Sequence, residues 1–367
     1  MKYIAFFILI VLIIACKSVE NKNNETKHFY VGTYTNGESE GIYKYQIDEN
    51  GKLSKIGLVA KANNPSFLAK TKDNKTLLSV EETDENGTGF VKSFKIQKDS
   101  LVFVSKSKSG GAHPCFITVN DKNQVLVANY SGGNVGYLKV DDQNGLTNLL
   151  SVQQHKGKGT TDRQKAPHAH STWFHPNKNE IISVDLGTNE LWFSTIEDAK
   201  NEFTFTNQKK LKFTDGAGPR HLTFHPNKKW IYVLNELNNS VALVKEKEGK
   251  YVVETSISML PKGYSKYSKG ADIHISNDGK FLYASNRGHN SIIVYKVNSK
   301  NGILKLVDFE AVNGANPRNF TLTPNNKYLL VANQDTNNII SFKRNSETGK
   351  LTFVDEVNAP NPVCILF

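Results

Sequence analysis

The sequence predicts an all-β, seven-bladed propeller, and two observations lead to this prediction. The first is a unit of about 50 residues that recurs along the chain as apolar strand, polar turn, apolar strand and a short end with Asn or Asp. The second is the position of the seventh copy, which is split between the two ends of the chain. Val, Ile, Phe and Tyr alternate with polar residues in these segments, as is typical of strands.

Six copies of the unit align through their second strands, each of which ends in one recurring polar residue. The residues in this slot are Glu81, Asn129, Asp185, Asn235, Asn286 and Asn333. The turns between first and second strands, such as HPNK at His175 and again at His225, suit tight hairpins. Each copy is therefore expected to form its own small sheet.

The seventh copy combines the two ends of the chain. Residues 361–367 (NPVCILF) match the first strand of a unit, while residues 28–34 and 41–47 supply the later strands. Pairing of the two ends would close a ring and remove free sheet edges, which otherwise promote aggregation. Seven four-stranded units in a closed ring make a β-propeller, predicted here over residues 28–367.

The amino-terminal residues are predicted to lie outside the propeller. Residues 1–15 contain an apolar run that is too short for the roughly 20 residues of a membrane span and fits a secretory signal peptide. Cys16 follows Ala15 as in the lipobox of bacterial lipoproteins, so lipidation of Cys16 is expected. Residues 16–27 are then a lipidated cysteine and polar tether. The prediction is an exported lipoprotein that contacts the membrane through this anchor alone, facing the periplasm or the cell surface.

Charge and cysteine content bear on partners and on disulfides. The net charge of +11 favours anions in general, but the lysines are scattered and lack interleaved aromatic residues, so no nucleic-acid partner is expected. Cys115 and Cys364 align with innermost strands of blades that are not neighbours, which predicts two buried free thiols. A closed ring has no edge that requires a partner, so a monomer is expected.

The repeat also indicates where a functional site would lie. In a propeller, the start of each innermost strand and the end of the next strand face the central funnel. Charged or titratable residues break the repeat at these slots: His170, Arg220, Glu236, Arg287 and Arg318. Burial of such groups is costly unless they pair with one another or with an anion, so the sequence predicts an anion-binding site in the funnel.

Several longer motifs resemble the lactonase family of seven-bladed propellers, which includes propeller-type 6-phosphogluconolactonases and is related to carboxy-muconate lactonising enzymes. The motifs are PHAHS (167–171), DLG (185–187), GPRH (218–221), NEL (235–237), YASNRGH (283–289) and NPRNF (316–320). The resemblance covers residues 28–367. It implies hydrolysis of a small anionic sugar lactone without cofactor or metal, at a site built from His170, Arg220, Glu236 and Arg287.

The mechanism expected from these residues is direct hydrolysis. Arg220 and Arg287 would hold the anionic group and stabilise the oxyanion, while Glu236, with a raised pKa, would activate water and His170 would protonate the leaving oxygen. The roles of His170 and Glu236 could be exchanged. Further substrate-binding residues are predicted to be His168, Arg318, His221 and Asn286.

Three alternatives remain open from the sequence. A metal-dependent lactonase could use oxygen ligands from Glu236, Asn129, Asp185 and Asn286. A non-catalytic surface propeller could bind a glycan or a protein through exposed aromatic residues such as Tyr264 and Tyr267. A cycloisomerase acting on a carboxylated lactone would use the same funnel without consuming water.

Overall fold

The computed structural model describes residues 26–141, 143, 145–199 and 202–367. Within them the strands are β1 Lys27–Thr33, β2 Gly41–Ile47, β3 Leu53–Lys61, β4 Leu68–Lys70, β5 Thr76–Glu85, β6 Thr88–Ile96, β7 Leu101–Lys108, β8 Pro114–Val119, β9 Gln124–Asn129, β10 Asn134–Lys139, β11 Ser151–Gln154, β12 Ala169–Phe174, β13 Ile181–Asp185, β14 Glu190–Ala199, β15 Glu202–Lys212, β16 Pro219–Phe224, β17 Trp230–Asn235, β18 Ser240–Lys247, β19 Lys250–Ser258, β20 Lys269–Ile275, β21 Phe281–Arg287, β22 Ser291–Val297, β23 Leu304–Ala311, β24 Pro317–Leu322, β25 Tyr328–Asn333, β26 Asn338–Arg344, β27 Leu351–Asn358 and β28 Pro362–Leu366. One short 3₁₀ turn spans Asp162–Gln164.

These strands form seven antiparallel sheets of four strands each, and the predicted seven-bladed propeller is confirmed. Blade 1 is β28-β1-β2-β3, and blades 2 to 7 are β4–β7, β8–β11, β12–β15, β16–β19, β20–β23 and β24–β27. The first strands of successive blades contact one another around the whole ring and surround the central funnel. The end of the chain supplies the innermost strand of blade 1, so the predicted ring closure is also confirmed.

The cores lie between neighbouring blades, because each sheet buries both of its faces against the next. Leu243 of blade 5 and Tyr295 of blade 6 belong to one such core, and Tyr283 of blade 6 and Phe342 of blade 7 to another. Tyrosine hydroxyls also join the blades: Tyr232 donates to the Gly302 carbonyl at 2.7 Å. These hydrogen bonds let large buried rings keep their polar ends satisfied.

The recurring Asn slot links each blade to the chain segment that enters it. The side-chain amides of Asn129, Asn286 and Asn333 donate to the carbonyls of Ser109, Met259 and Val312, respectively, at 3.0 to 3.1 Å. Each accepting carbonyl follows the outermost strand of the preceding blade. In these three blades the repeated Asn therefore has a structural role, because it holds the segment that enters the blade against the second strand.

Two further predictions concern the cysteines and the amino terminus. Cys115 and Cys364 are buried free thiols in blades 3 and 1, which confirms that prediction. The predicted signal peptide, Cys16 and most of the tether lie outside the described residues. Within the part of the chain that the structure describes, no helix has the length and apolar character needed to cross a membrane.

Candidate active site

The innermost strands present their site residues at β-bulges. In β8, β12, β16 and β24 the pairing with the next strand skips one residue directly after the first paired residue. The skipped residues are Cys115, His170, Arg220 and Arg318. A bulge leaves one residue out of the ladder and redirects its side chain, here at the funnel end of the strand. Four slot residues thus owe their orientation to one repeated backbone irregularity.

The funnel contains a cavity of about 540 Å³. Its lining includes Glu82, Cys115, Tyr130, Arg163, His170, Glu236, Tyr267, Lys269, Arg287, Asn316, Arg318 and Asp335. Four of these side chains are cations, and three are carboxylates. A second, smaller cavity of about 10 Å³ lies against Arg220, His221 and Arg318, and this volume holds at most about one water molecule.

Glu236 is the central anion of the site. Its Oε2 lies 3.1 Å from Nε of Arg220 and 2.9 Å from Nη2 of Arg287, and its Oε1 lies 3.6 Å from Nη2 of Arg163. Burial alone would raise the pKa of Glu236, but Arg287, Arg220 and Arg163 lower it to about 2. The expectation that a dry setting raises this pKa is wrong, because three guanidinium groups stabilise the carboxylate.

His170 is buried beside this ion cluster and is held in its neutral form. Its Nδ1 lies 3.9 Å from the Cys115 sulfur, and no described residue hydrogen-bonds its Nε2. Burial, followed by the positive charge of Arg220 and the neighbouring His221, holds the pKa of His170 well below 6.5. His170 therefore presents a neutral imidazole at the cavity, and a neutral imidazole can accept a proton.

Arg220 is fixed from below by blade 6. Its Nη1 donates to the Ala271 carbonyl and lies 3.4 Å from Nε2 of His221. The Nδ1 of His221 is 2.8 Å from Oδ1 of Asp272, which leaves Nε2 as the acceptor that faces Arg220. Burial and the repulsion by the Arg287 and Arg318 guanidinium groups lower the pKa of Arg220 to about 9. Arg220 therefore remains a cation at neutral pH.

Arg318 also borders the cavity. Its Nη2 donates to the hydroxyl of Tyr34 at 2.8 Å, and this hydroxyl donates to Oε2 of Glu82 at 2.9 Å. Glu82 also accepts a hydrogen bond from Ser66. The buried Nε of Arg287 has no hydrogen-bond partner, whereas Nε of Arg220 is ion-paired with Oε2 of Glu236 at 3.1 Å. Arg287 and Arg318 thus border the same cavity as the neutral His170.

Comparison with known proteins assigns the fold to a family. A family model described as lactonase, 7-bladed beta-propeller, matches residues 28–367. The chain belongs to this lactonase family. A 6-phosphogluconolactonase of Bacillus subtilis is 39% identical over 301 residues, covering 80% of this chain and 84% of that protein. A 6-phosphogluconolactonase of Formosa agariphila is 34% identical over 305 residues, covering 81% and 86%.

A solved structure supports the same family. The periplasmic gluconolactonase of Pseudomonas aeruginosa superimposes with a TM-score of 0.84 at 27% identity, covering 93% of this chain and 98% of that chain. These relatives support lactone hydrolysis, and the predicted reaction class of this lactonase-family chain is confirmed at that level.

Two of the predicted substrate-binding residues, Asn286 and His168, do not line the cavity. Asn286 is fully buried, accepts a hydrogen bond from Ser268 and donates to the Met259 carbonyl, so its side-chain oxygen and nitrogen are both used within the protein. His168 stacks on the Tyr130 ring, with ring centres 4.4 Å apart, and its Nδ1 contacts the Tyr130 carbonyl. His168 thus supports a residue that lines the cavity instead of lining it.

His221 likewise lies below the main cavity, against the smaller one, where it positions Arg220. The oxygen ligands considered for a metal are also not gathered: Asn129 is bonded to Ser109, and Asp185 to His155 at 2.7 Å. Within the described ranges, no group of three or more His, Cys, Asp or Glu side chains has a metal-binding arrangement.

Sequence reasoning missed two cations at the mouth of the cavity, Arg163 and Lys269. They come from the two most irregular insertions, residues 157–164 and 264–269, which lie outside the repeated slots. The first insertion is anchored by Gln164, whose side chain is buried and donates to the Leu186 carbonyl at 2.8 Å. Their position directly before innermost strands was the available signal, because it places both insertions at the funnel end of the blades.

The exposed aromatic residue expected of a binding scaffold is part of this same mouth. Tyr267 is 70% exposed and lines the cavity beside Lys269. Gly288, which follows Arg287, adopts φ +100°, and a side chain there would collide with the Tyr267 carbonyl. This close approach lets the 264–269 insertion pack directly against the strand end that carries Arg287.

Proposed function

We propose that the chain hydrolyses a sugar-acid lactone of the gluconolactone type in this cavity, with 6-phospho-glucono-1,5-lactone as the leading substrate. The observation that supports the proposal is the neutral His170, with an unpartnered Nε2, placed beside the Glu236–Arg287 ion pair in one cavity. The names of the relatives point to the same substrate class.

In the proposed reaction, His170 removes a proton from water as the water oxygen attacks the lactone carbonyl. Arg287 and Arg318 donate to the oxyanion that forms, a contribution of about 3 kcal/mol for each well-placed donor. The ring C–O bond then breaks, and His170 returns the proton to the leaving ring oxygen, giving the open hydroxy acid. Glu236 holds Arg220 and Arg287 in place and does not act as the base.

The reaction is proposed to need no metal ion. The proposed roles are filled by side chains that already meet in the cavity, with two arginines in the place of a Lewis acid. Full activity in excess EDTA would support this, and activity lost in EDTA and restored by a divalent cation would contradict it.

We expect the full-length protein to hydrolyse δ-gluconolactone or its 6-phosphate, with one oxygen of ¹⁸O-labelled water entering the product. Arg287→Ala should reduce kcat about a hundredfold or more, because it removes a donor to the oxyanion. Glu236→Gln should reduce it about tenfold or more, because two buried arginines lose their counter-ion. Glu347→Gln, at a carboxylate that is 78% exposed, is the matched control.

Each alternative corresponds to a different result. Retention of more than about a tenth of activity by Arg287→Ala would remove that residue from the catalytic set. Ring opening without solvent oxygen would indicate a cycloisomerase. A folded protein that turns over neither lactone would indicate a binding role for the propeller.

We also propose that the protein is an exported lipoprotein. The support is the apolar run followed by Ala15 and Cys16, together with the periplasmic location stated for the Pseudomonas aeruginosa relative. Cys16→Ser should move the protein from the membrane fraction to the soluble fraction of the producing cell. Unchanged membrane association of this variant would overturn the proposal.

A further inference from the structure

The cations of the cavity differ in depth. The exposed fraction of the side chain rises from 3% for Arg220 to 14% for Arg287 and 44% for Arg163. Lys269 and the highly exposed Tyr267 also line the cavity. Arg163 and Lys269 therefore form the outer part of the cation cluster: Arg163 lies 3.6 Å from Glu236, whereas Arg220 and Arg287 contact it at 3.1 and 2.9 Å.

Lys269 lies opposite another cation, and it acts on Glu236 only at a distance, as one of the charges that lower the pKa of that carboxyl. In the pairing of β20 with β21, Lys269 is directly across from Arg287, and like charges at such positions destabilise a sheet. None of the described carboxylates forms an ion pair with Lys269, whose ammonium instead lies 5.3 Å from the centre of the Tyr267 ring. An anion in the cavity would relieve this repulsion.

Arg163 is held over the same opening with donors to spare. Its Nη2 donates to the Tyr130 hydroxyl at 2.8 Å and lies 3.6 Å from Oε1 of Glu236, which is longer than a hydrogen bond. The buried Gln164 beside it fixes the insertion. A guanidinium that is positioned but not saturated is suited to bind a phosphate or carboxylate.

We propose that Arg163 and Lys269 form a phosphate-binding subsite that selects lactones bearing a phosphate at the end remote from the reacting carbonyl. The inference rests on the proposed lactonase function. A phosphate monoester carries a charge of about −1.5 to −2 at pH 7, which matches two cations. The inner arginines are left to the carbonyl, so recognition of the phosphate and chemistry at the ester involve different residues.

The test compares kcat/KM for δ-gluconolactone 6-phosphate with kcat/KM for δ-gluconolactone, using the full-length protein. Arg163→Ala and Lys269→Ala should each lower the ratio of these two values about tenfold or more, mainly through KM for the phosphorylated lactone, as expected for a charged hydrogen bond. The matched controls are Lys165→Ala, at an exposed lysine directly after the first insertion, and Lys266→Ala, at an exposed lysine of the second, and both should leave the ratio at the wild-type value.

Equal losses for both lactones in the two variants would overturn the subsite, as would a wild-type protein without preference for the phosphorylated lactone. Equilibrium binding of 6-phosphogluconate and of gluconate by calorimetry gives a readout that does not depend on turnover. Tighter binding of the phosphorylated acid, lost in both variants, supports the subsite even where no lactone is hydrolysed, whereas equal affinities overturn it. Failure of the lactonase proposal and failure of the subsite thus give different results.

Discussion

The same positive charges determine the protonation states of Glu236 and His170. A buried carboxylate is expected to gain basicity, yet Arg287, Arg220 and Arg163 lower the pKa of Glu236 to about 2. The pKa of His170, which is buried among the same positive charges, is lowered well below 6.5, so its imidazole is neutral at pH 7. One cluster of cations therefore keeps the carboxylate ionised and the imidazole neutral, and the proposed reaction uses the neutral imidazole as the base.

This environment determines how the rate should depend on pH. A base acts in its deprotonated form, so activity is present above its pKa and lost below it. Since the pKa of His170 lies well below 6.5, we expect kcat/KM to remain constant from pH 7.5 down to about 6.5 and to fall only at lower pH. The measurement is a pH profile of initial rates with spontaneous lactone hydrolysis subtracted.

The neighbouring charge can be varied independently. Arg318→Gln removes one of the cations that lower the pKa of His170, so the fall in activity should begin at a higher pH than in wild type. Lys165→Gln, whose side chain is 77% exposed, should leave the profile in place. A wild-type profile that already falls above pH 6.5 would mean that His170 is not the base.

At the scale of single strands, the repeated bulge explains why part of the site could be predicted from the sequence. His170, Arg220 and Arg318 occupy equivalent slots, and the same backbone irregularity directs each of them toward the funnel. Alignment of the repeat was therefore sufficient to find them. The slot argument could not assign their protonation states, since these depend on which charges meet across the funnel.

There is a physical reason why the sequence did not place some residues of the site correctly. Asn286 occupies a repeated slot, but a side-chain amide can satisfy a backbone carbonyl of the entering segment, and this use is invisible in the sequence. Arg163 lies in an insertion that has no counterpart in other blades, so no repeat could align it, and Lys269 stands where the second insertion joins β20, one residue before the aligned slots begin. Residues set by the repeated backbone were predictable, and those set by tertiary contacts were not.

Asp272 shows how strands of three blades are tied together beneath the site. Its Oδ1 accepts hydrogen bonds from His221 of β16 and from the Ile273 amide, and its Oδ2 from His274 and from Asn319 of β24. Burial would raise the pKa of Asp272, but His274 and His221 hold it below its usual range. The carboxylate is thus a shared acceptor, which an amide cannot replace.

We expect Asp272→Asn to lower the free energy of unfolding by about 2 to 4 kcal/mol, because its NH₂ group would face donors. At a temperature where the variant is fully folded, kcat should also fall, since His221 would lose the partner that orients it toward Arg220. Thermal melts and kinetics measure the two effects. Asp308→Asn, at a half-exposed carboxylate, is the control, and a variant with reduced stability but wild-type kcat would contradict the positioning role.

At the scale of the whole molecule, the funnel exists only because the ring is closed. The end of the chain, β28, pairs with β1 through Val31 opposite Ile365 and Gly32 opposite Cys364. It also joins blade 7, because the Ile365 amide donates to the Asn319 side chain at 2.7 Å. Asn319 in turn donates to Asp272, so one chain of hydrogen bonds connects the terminal strand with the residues beneath the active site.

Removal of residues 362–367 should therefore abolish both the stable fold and the activity. The deletion exposes the edge of β1 and removes three buried side chains, Val363, Cys364 and Ile365, worth about 1.5 to 3 kcal/mol each. This loss approaches the total stability of about 5 to 15 kcal/mol of a typical protein, and an unpaired edge promotes aggregation. Size-exclusion chromatography and thermal melting measure the outcome.

Ile56→Ala, at an apolar residue of the same blade that is 44% exposed, is the control and should melt close to wild type. A monomeric deletion variant with a wild-type melting temperature would show that six blades and an incomplete seventh suffice, and that the terminal strand does not hold the ring together.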